Sequence, residues 1–162
     1  MKSKIYILGP QGSGKTLLAK KISKRLRIPS FSLDDIYYKK KYTVKRSEDE
    51  KKKMLSKILG RRKKWIIEGV ATSFVSDAVK QADLVIWLDV DHRLLSYRVI
   101  KRQIFRRESL FRLRKLLSEI KLYKNKKGKY KEHKGLLKVS KKYIVLRGRK
   151  DIKKCLSELD DQ

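Results

Sequence analysis

Short apolar runs alternate with longer amphipathic stretches along the chain, and this pattern predicts alternating strands and helices. Residues 84–88 are apolar at every position, which is typical of a strand buried on both faces of a parallel sheet. The predicted strands are residues 4–8, 30–33, 65–68, 84–89 and 143–146, and the predicted helices are residues 15–26, 48–62, 92–105, 113–125 and 150–159. We therefore expect an α/β fold with three layers, in which a five-stranded parallel sheet carries helices on both faces.

Three segments between these elements are predicted to be surface loops. Two are residues 37–47 and 106–112, and the third, residues 124–138, is rich in lysine and is expected to be a solvated insertion. The length of 162 residues fits one domain over residues 1–162. A single cysteine excludes an intrachain disulfide, and no apolar run approaches the length of a membrane span. We expect a soluble, cytoplasmic protein with no membrane partner.

A glycine-rich motif follows the first predicted strand directly. Residues 9–16 read Gly-Pro-Gln-Gly-Ser-Gly-Lys-Thr, the pattern of a phosphate-binding loop, or P-loop. Its glycines allow backbone N–H groups to surround phosphate oxygens, Lys15 reaches the β- and γ-phosphates, and Thr16 reaches Mg²⁺. We therefore expect ATP and Mg²⁺ as cofactors. The expected ligands of the nucleotide in this loop are Gly9, Gln11, Gly12, Ser13, Gly14, Lys15 and Thr16.

Carboxylates lie at the carboxyl ends of three of the predicted strands, at the edge where open α/β sheets bind ligands. Asp34 can orient or deprotonate an acceptor hydroxyl or hold a metal-bound water, although it and Asp35 can equally serve as helix caps. Glu68 and Asp89 end the third and fourth predicted strands. Either can assist Thr16 in holding Mg²⁺, because one carboxylate together with the substrate phosphates is sufficient.

Arg98 and Arg102 are four residues apart, so they lie on one face of a predicted helix. Both guanidinium groups can then contact the same phosphates, with a geometry that lysine does not offer. We count these two arginines, together with Lys15 and Asp34, as the candidate catalytic residues.

The remaining aromatic and histidine residues give weaker signals. Tyr37, Tyr38 and Tyr42 alternate with lysines and can either stack on a base or pack in the ordinary way. His92 and His133 have no partner spaced for a metal site, so we assign them no chemistry.

The charge of the chain is strongly basic. Lysine and arginine number 46 against 17 acidic residues, a formal net charge of +29. Residues 93–150 hold 22 basic and 3 acidic residues, a net charge of +19. Such a field attracts polyanions and makes nucleic acid a possible partner, although biased lysine usage on solvated faces explains the lysines as well.

With these residues in place, the chain resembles the adenylate kinase-like P-loop kinases, and most closely the DNA topology modulation, or FlaR-related, group. The similar segments are, in chain order, GPQGSGKT, PSFSLDDIYY, WIIEG, ADLVIWLDV followed by RVIKR, and YIVLRGRKDIKKCL. The resemblance implies a nucleotide-kinase fold with ATP on residues 9–16 and a closing lid at residues 105–115. The further ATP contacts that it implies are Arg98 and Arg102 near the triphosphate, and Arg147 and Gly148 near the adenine.

The chain departs from that family after the third predicted strand. Adenylate kinases continue there with D-G-F-P-R, whose arginine grips the acceptor phosphate. Residues 68–72 here read E-G-V-A-T, so that arginine is absent and the family's aspartate is replaced by Glu68.

We therefore expect an ATP-dependent kinase that transfers the γ-phosphate to a small acceptor, either nucleotide- or nucleoside-like. The alternative is a nucleic-acid-binding P-loop ATPase, or a kinase acting on nucleic-acid ends, that uses residues 93–150. The acceptor pocket is expected after the second predicted strand, where most residues are lysines and tyrosines. These residue types do not identify the acceptor.

Overall fold

A computed structural model of the chain describes residues 3–40, 43–106 and 109–160. The strands are β1 Lys4–Leu8, β2 Ser30–Ser32, β3 Tyr38–Lys40, β4 Val44–Lys45, β5 Trp65–Gly69, β6 Leu84–Leu88 and β7 Tyr143–Leu146. The helices are α1 Lys15–Leu26, α2 Leu33–Tyr37, α3 Glu48–Arg61, α4 Ser76–Gln81, α5 His92–Arg106, α6 Leu110–Lys124, α7 Lys129–Leu137 and α8 Arg149–Asp160.

The main sheet has five strands in the order β2-β5-β1-β6-β7, and every neighbouring pair is parallel. β3 and β4 form a separate antiparallel hairpin. The prediction of a five-stranded parallel sheet is therefore confirmed. Because the strands are parallel, their carboxyl ends meet at one edge of the sheet, where ligands bind in open α/β folds.

The central strand β1 divides the interior into two cores. Ile5 and Ile7 point into one core, and Tyr6 and Leu8 point into the other, because successive side chains of a strand alternate between its faces. Every residue of the flanking strands β5 and β6 is buried as well. These strands therefore carry near-continuous apolar runs instead of an alternating pattern.

Helices cover both faces of the sheet, as the sequence predicts. α1, α5, α6 and α8 contribute apolar side chains to the core that contains Ile5, which we call the α1 face. α2, α3, α4 and α7 contribute to the core that contains Tyr6, which we call the α7 face. The result is the expected arrangement of three layers.

The prediction of a solvated insertion at residues 124–138 is wrong. Most of this segment is α7, which buries His133 and Leu137 against the α7 face. Tyr130, His133 and Leu137 have the spacing of one helical face, and the lysines between them lie on the exposed side. The lysine-rich composition therefore describes the outer face of a packed helix.

The two other predicted loops also contain regular structure. Residues 37–47 include the β3–β4 hairpin, and Lys41 and Tyr42 lie outside the described residues. In the segment 106–112, α5 reaches Arg106 and α6 begins at Leu110. Within the described ranges, no helix is long and apolar enough to cross a membrane.

Candidate functional site

The P-loop connects β1 to α1 and depends on glycine for its backbone path. Gly9, Gly12 and Gly14 have φ values of 151°, 79° and 96°, a region that other L-residues rarely adopt. A Cβ on Gly9 would lie 2.7 Å from the carbonyl oxygen of Leu88. A Cβ on Gly12 would lie 3.1 Å from a methyl group of Val99. The loop is therefore shaped by both conformation and close packing.

The polar side chains of the loop face inward. The Lys15 ammonium is buried and donates a hydrogen bond to the carbonyl oxygen of Pro10 at 2.9 Å. Burial lowers the pKa of Lys15 to about 8, and this effect is partly opposed by the charges of Glu68 and Asp34. The hydroxyl of Ser13 is buried without a hydrogen-bond partner. A buried hydroxyl without a partner and a lysine at this position both fit an anionic oxygen ligand such as a phosphate.

Thr16 and Glu68 form the candidate magnesium site. The Thr16 hydroxyl donates a hydrogen bond to Oε1 of Glu68 at 3.0 Å. Glu68 is buried at the carboxyl end of β5, beside β1. A hydroxyl and a carboxylate are the hard oxygen ligands that Mg²⁺ prefers, and phosphate oxygens and waters complete such a site. The residues present therefore fit the ion.

Asp89, the other predicted magnesium ligand, lies elsewhere. Its carboxylate is 3.7 Å from the guanidinium of Arg147 and lines a separate cavity of about 210 Å³ beside Tyr123. Burial raises the pKa of Asp89. Strand alternation gives the reason: Asp89 follows Trp87 by two residues and so points to the α7 face, whereas Glu68 shares the α1 face with Ile66. The structure therefore brings Glu68, and not Asp89, to Thr16.

Both arginines of α5 lie against the P-loop. Nη1 of Arg98 donates hydrogen bonds to the carbonyl oxygens of Gly12 and Ser13 at 3.3 and 3.4 Å. Nη2 of Arg102 donates to Oε1 of Gln11 at 3.4 Å. The four-residue spacing thus places two guanidinium groups beside the same loop, where they can reach a bound triphosphate.

A cleft of about 1170 Å³ runs from the P-loop to a second group of residues. The phosphate end is the part of the cleft that is lined by Gln11, Gly12, residues 14–17, Ala19, Lys20, Glu68, Arg98 and Arg102. We call the opposite part the acceptor end. The acceptor end is lined by residues 30–32, Asp34, Asp35, Tyr37, Tyr38, Lys45, residues 69–73, Gly128, Lys129 and Glu132. α6 adds Arg112, Lys115, Glu119 and Leu122 to the wall.

Asp34 lies in the first turn of α2 at the acceptor end. The cap of this helix is Ser32, whose hydroxyl accepts a hydrogen bond from the Asp34 backbone N–H at 3.3 Å. The helix therefore does not need the Asp34 carboxylate as its cap, and this half-buried carboxylate lines the cleft. The charge of this carboxylate also opposes the lowering of the Lys15 pKa by burial.

α7 forms a wall of the acceptor end that the sequence analysis missed. Lys129 lies 2.6 Å from the carboxylate of Glu132 and donates a hydrogen bond to the Thr72 hydroxyl at 2.9 Å. The Thr72 hydroxyl also bonds to Glu132. These three side chains join α7 to the loop after β5. The spacing of apolar residues in α7 could have predicted a packed helix. It does not predict which loop the helix contacts.

His133 attaches α7 to the same loop from within the core. The indole N–H of Trp87 donates to the Tyr123 hydroxyl at 2.7 Å, and that hydroxyl lies 2.9 Å from Nδ1 of His133. Nε2 of His133 lies 3.2 Å from the carbonyl oxygen of Val70 and donates to it when the ring is neutral. Burial lowers the pKa of His133 to about 4, so the ring is neutral at physiological pH. The sequence analysis assigned no chemistry to His133 and did not predict its structural role, which is to connect Tyr123 to the backbone at Val70.

The other predicted contacts occupy several places. Tyr37 and Tyr38 line the acceptor end, and the Lys51 ammonium lies 4.2 Å from the ring centre of Tyr37. His92 lies beside Asp91 in the separate cavity. Arg147 is exposed and pairs with Asp89, so its contact with adenine stays a prediction.

The lid predicted at residues 105–115 coincides with the junction of α5 and α6. Arg112 and Lys115 from this segment line the cleft, whereas the rings of Phe105 and Phe111 are exposed. Arg107 lies outside the described residues. Closure of this segment over ATP stays a prediction.

Comparison with known proteins gives the family and the fold of the chain. Residues 5–146 match the ATPase family associated with various cellular activities (AAA), and the chain belongs to this family. The fold is that of a kinase-like P-loop NTPase. An uncharacterized protein, YqaC, from Bacillus subtilis strain 168 is 36% identical over 96 residues, which are 58% of this chain and 54% of YqaC. The chain thus spans about half the length of this curated relative.

Several solved structures share the fold. A shikimate kinase from Bacteroides thetaiotaomicron has a TM-score of 0.63 at 15% identity, with 99% of this chain and 98% of the enzyme covered. A shikimate kinase from Acinetobacter baumannii, in complex with shikimate, has a TM-score of 0.61 at 16% identity, with 98% and 91% covered. An uncharacterized protein from Eubacterium ventriosum has a TM-score of 0.55 at 20% identity, with 98% and 99% covered. At these identities the likeness concerns the fold.

Proposed function

We propose that the protein is an ATP-dependent phosphotransferase that moves the γ-phosphate of ATP to a small, nucleotide- or nucleoside-like acceptor. The observation that carries this proposal is one continuous cleft that joins the P-loop to Asp34 and the acceptor end. An enzyme that only hydrolyses ATP needs a place for water, whereas a kinase needs room for a second substrate beside the γ-phosphate. The kinase fold of the structural neighbours supports the same choice.

Each residue at the phosphate end has a role in this chemistry. Lys15, Arg98 and Arg102 provide positive charge for the transferred phosphoryl group, and the backbone of residues 9–16 holds the phosphates. Thr16 and Glu68 would hold Mg²⁺, which when bound offsets the charge of the β- and γ-phosphates. Asp34 accepts the proton of the acceptor hydroxyl as its oxygen bonds to the γ-phosphorus. The bond from that phosphorus to the bridging oxygen breaks, and ADP leaves.

The direct test measures ATP consumption by purified protein with magnesium and a panel of nucleosides, nucleotides and short DNA and RNA oligomers. The proposal predicts that a small acceptor stimulates turnover and that the Lys15→Ala variant does not respond. ATP turnover that no acceptor changes would contradict it.

A second candidate function is nucleic-acid binding, or phosphorylation of nucleic-acid ends, by residues 93–150. The observation that favours it is the outer face of α6 and α7, where lysines point to solvent. The exposed lysines of this surface are Lys121, Lys124, Lys126, Lys127, Lys131, Lys134 and Lys138. Binding through phosphate contacts must weaken steeply as salt rises. Affinity for DNA or RNA that is unchanged between about 50 and 200 mM salt would exclude this function.

The proposal includes three expectations from the sequence. These are the resemblance to the DNA topology modulation group, a lid at residues 105–115, and a cytoplasmic location. The first rests on the similar segments of the sequence, and the second is supported by the two cations that this segment contributes to the cleft.

A further inference from the structure

A chain of hydrogen bonds inside the α7 face ends at the acceptor end of the cleft. The indole N–H of Trp87 can only donate, so the Tyr123 hydroxyl accepts from it and keeps its own proton for Nδ1 of His133. The carbonyl oxygen of Val70 can only accept, so the opposite ring nitrogen, Nε2, carries the ring proton. Each group thus has one role, and its two neighbours fix the tautomer of His133.

The bond to Val70 falls in the loop after β5, residues 69–73, all of which line the acceptor end. The base of this loop is fixed by other elements. Gly69 is paired with the end of β1, and a Cβ on Gly69 would lie 2.6 Å from the Cβ of Leu33 at the start of α2. The sheet and α2 therefore hold Gly69 in place, whereas the residues after it depend on other contacts.

Some of those other contacts are weak. Lys129 and Glu132 of α7 bond to the Thr72 hydroxyl at positions that are open to solvent. Exposed contacts of this kind contribute little, because the charges are screened and the long side chains lose rotational freedom. The Tyr6 hydroxyl lies 3.5 Å from the carbonyl oxygen of Ala71, which is long for a bond between two oxygens.

The bond from His133 to Val70 differs from these contacts. His133 is fully buried, Nε2 lies 3.2 Å from the carbonyl oxygen, and the other ring nitrogen is bonded as well. Loss of a hydrogen bond from a buried polar group costs more than loss of an exposed one, because water does not replace the missing partner. His133 therefore provides the strongest side-chain hold on the free part of this loop.

We infer that His133 is a positioning residue for the acceptor, because its Nε2–H holds the Val70 carbonyl and so sets the place of residues 70–73 when the acceptor binds. This inference rests on the proposed kinase function and adds to it a determinant of acceptor binding that lies outside the cleft. His133 is not among the residues that line the cleft and takes no part in the bond changes. Since Gly69 is held independently, the P-loop and α2 do not depend on His133.

The test compares two amides of different length at this position. In His133→Gln the amide nitrogen reaches the place of Nε2 and can donate to Val70, whereas in His133→Asn the amide ends near the place of Nδ1. With the acceptor that stimulates wild-type turnover, we expect the acceptor KM to rise about tenfold in His133→Asn and to stay within about threefold of wild type in His133→Gln. In both variants kcat and the Kd of Mg-ATP should stay within about twofold of wild type.

Several results would overturn the inference and leave the proposed function intact. These are a rise of the acceptor KM that is equal in the two variants, absent from both or larger in His133→Gln, and a matching loss of Mg-ATP affinity in His133→Asn. Wild-type protein that transfers no label from γ-labelled ATP to any acceptor would instead overturn the proposed function, and the inference with it.

The tautomer gives a second readout, which does not require either amide variant to fold. Nitrogen NMR of protein labelled with ¹⁵N in histidine should show a neutral His133 ring with its proton on Nε2. Tyr123→Phe removes the donor to Nδ1 and should increase the share of the other tautomer. His92→Phe assigns the signal, because it leaves His133 as the one remaining histidine. A proton on Nδ1 and none on Nε2 in wild-type protein would overturn the inference.

Discussion

The two ends of the cleft are built in different ways. The phosphate end is mainly one continuous segment, residues 9–16, in which three glycines with positive φ hold the backbone and α5 adds two arginines. The acceptor end combines side chains from β2, α2, the hairpin, the loop after β5 and α7. The first end is suited to any triphosphate, because it uses backbone groups and cations. Selectivity must therefore come from the second end.

The largest effect is expected at the phosphate end. Lys15→Ala removes the buried cation beside the P-loop carbonyl, and we expect ATP turnover to fall by about 100- to 1000-fold, the typical cost of one transition-state donor. Lys21→Ala is the matched control, since Lys21 is exposed on the same helix and does not line the cleft. Steady-state kinetics of the two variants checks this. Equal turnover in both would contradict the role of Lys15.

The next effect separates the two ends. Asp34→Asn removes the proposed proton acceptor, so we expect acceptor-dependent turnover to fall about 100-fold while the Kd of Mg-ATP stays within about twofold of wild type. Asp77→Asn is the control, because Asp77 is also in the first turn of a short helix but lies outside the cleft. Kinetics and calorimetric titration of both variants check this. A parallel loss of ATP affinity in Asp34→Asn would mean that the ends do not act separately.

A smaller effect concerns magnesium. Glu68→Gln weakens the site formed with Thr16, and we expect the Mg²⁺ concentration for half-maximal turnover to rise about tenfold or more. Asp89→Asn should leave it unchanged, because Asp89 lies with Arg147 in the separate cavity. Magnesium titrations of both variants make the comparison. A larger shift in Asp89→Asn than in Glu68→Gln would reverse the assignment.

Substitution of His133 is expected to have the smallest effect on turnover. Its main effect is expected on the pH dependence of the free energy of unfolding. The pKa of His133 is lowered from 6.5 to about 4 in the folded chain, so the unfolded chain binds the proton first as pH falls. The contribution of neutral His133 to the free energy of unfolding is complete above pH 6.5 and is lost as pH falls toward 4. The free energy of unfolding changes by roughly 3 kcal/mol at most over this range. His133→Phe should lose this part of the pH dependence, and denaturant unfolding at several pH values measures it.

The matched control for that experiment is His92→Phe, which replaces the other of the two histidines and leaves His133 in place. The same slope between pH 4 and 6.5 in His133→Phe and wild type would contradict the assignment.

The phosphate end was predictable because its signals are local. A contiguous motif identifies Lys15 and Thr16, and the spacing on one helix places Arg98 and Arg102 together. Which of Glu68 and Asp89 lies near Thr16 depends on the face of the sheet to which each carboxylate points. That face is known only once Ile66 and Trp87 are assigned to their cores.

The acceptor end was only partly predictable because its contacts join distant segments. Asp34 was predicted from its place after a strand, whereas Thr72 and Glu132 are far apart in the chain and meet through tertiary packing. The buried positions of α7 stand between lysines, and the partner of His133 is a backbone carbonyl. No local pattern encodes a contact of that kind.

The most direct test of the account is the fate of the γ-phosphate. Wild-type protein with labelled ATP, magnesium and the stimulating acceptor should place the label on the acceptor in a one-to-one ratio with the ADP formed. Release of all the label as inorganic phosphate, at a rate that no acceptor changes, would show an ATPase and contradict the assignment of a kinase with an acceptor end.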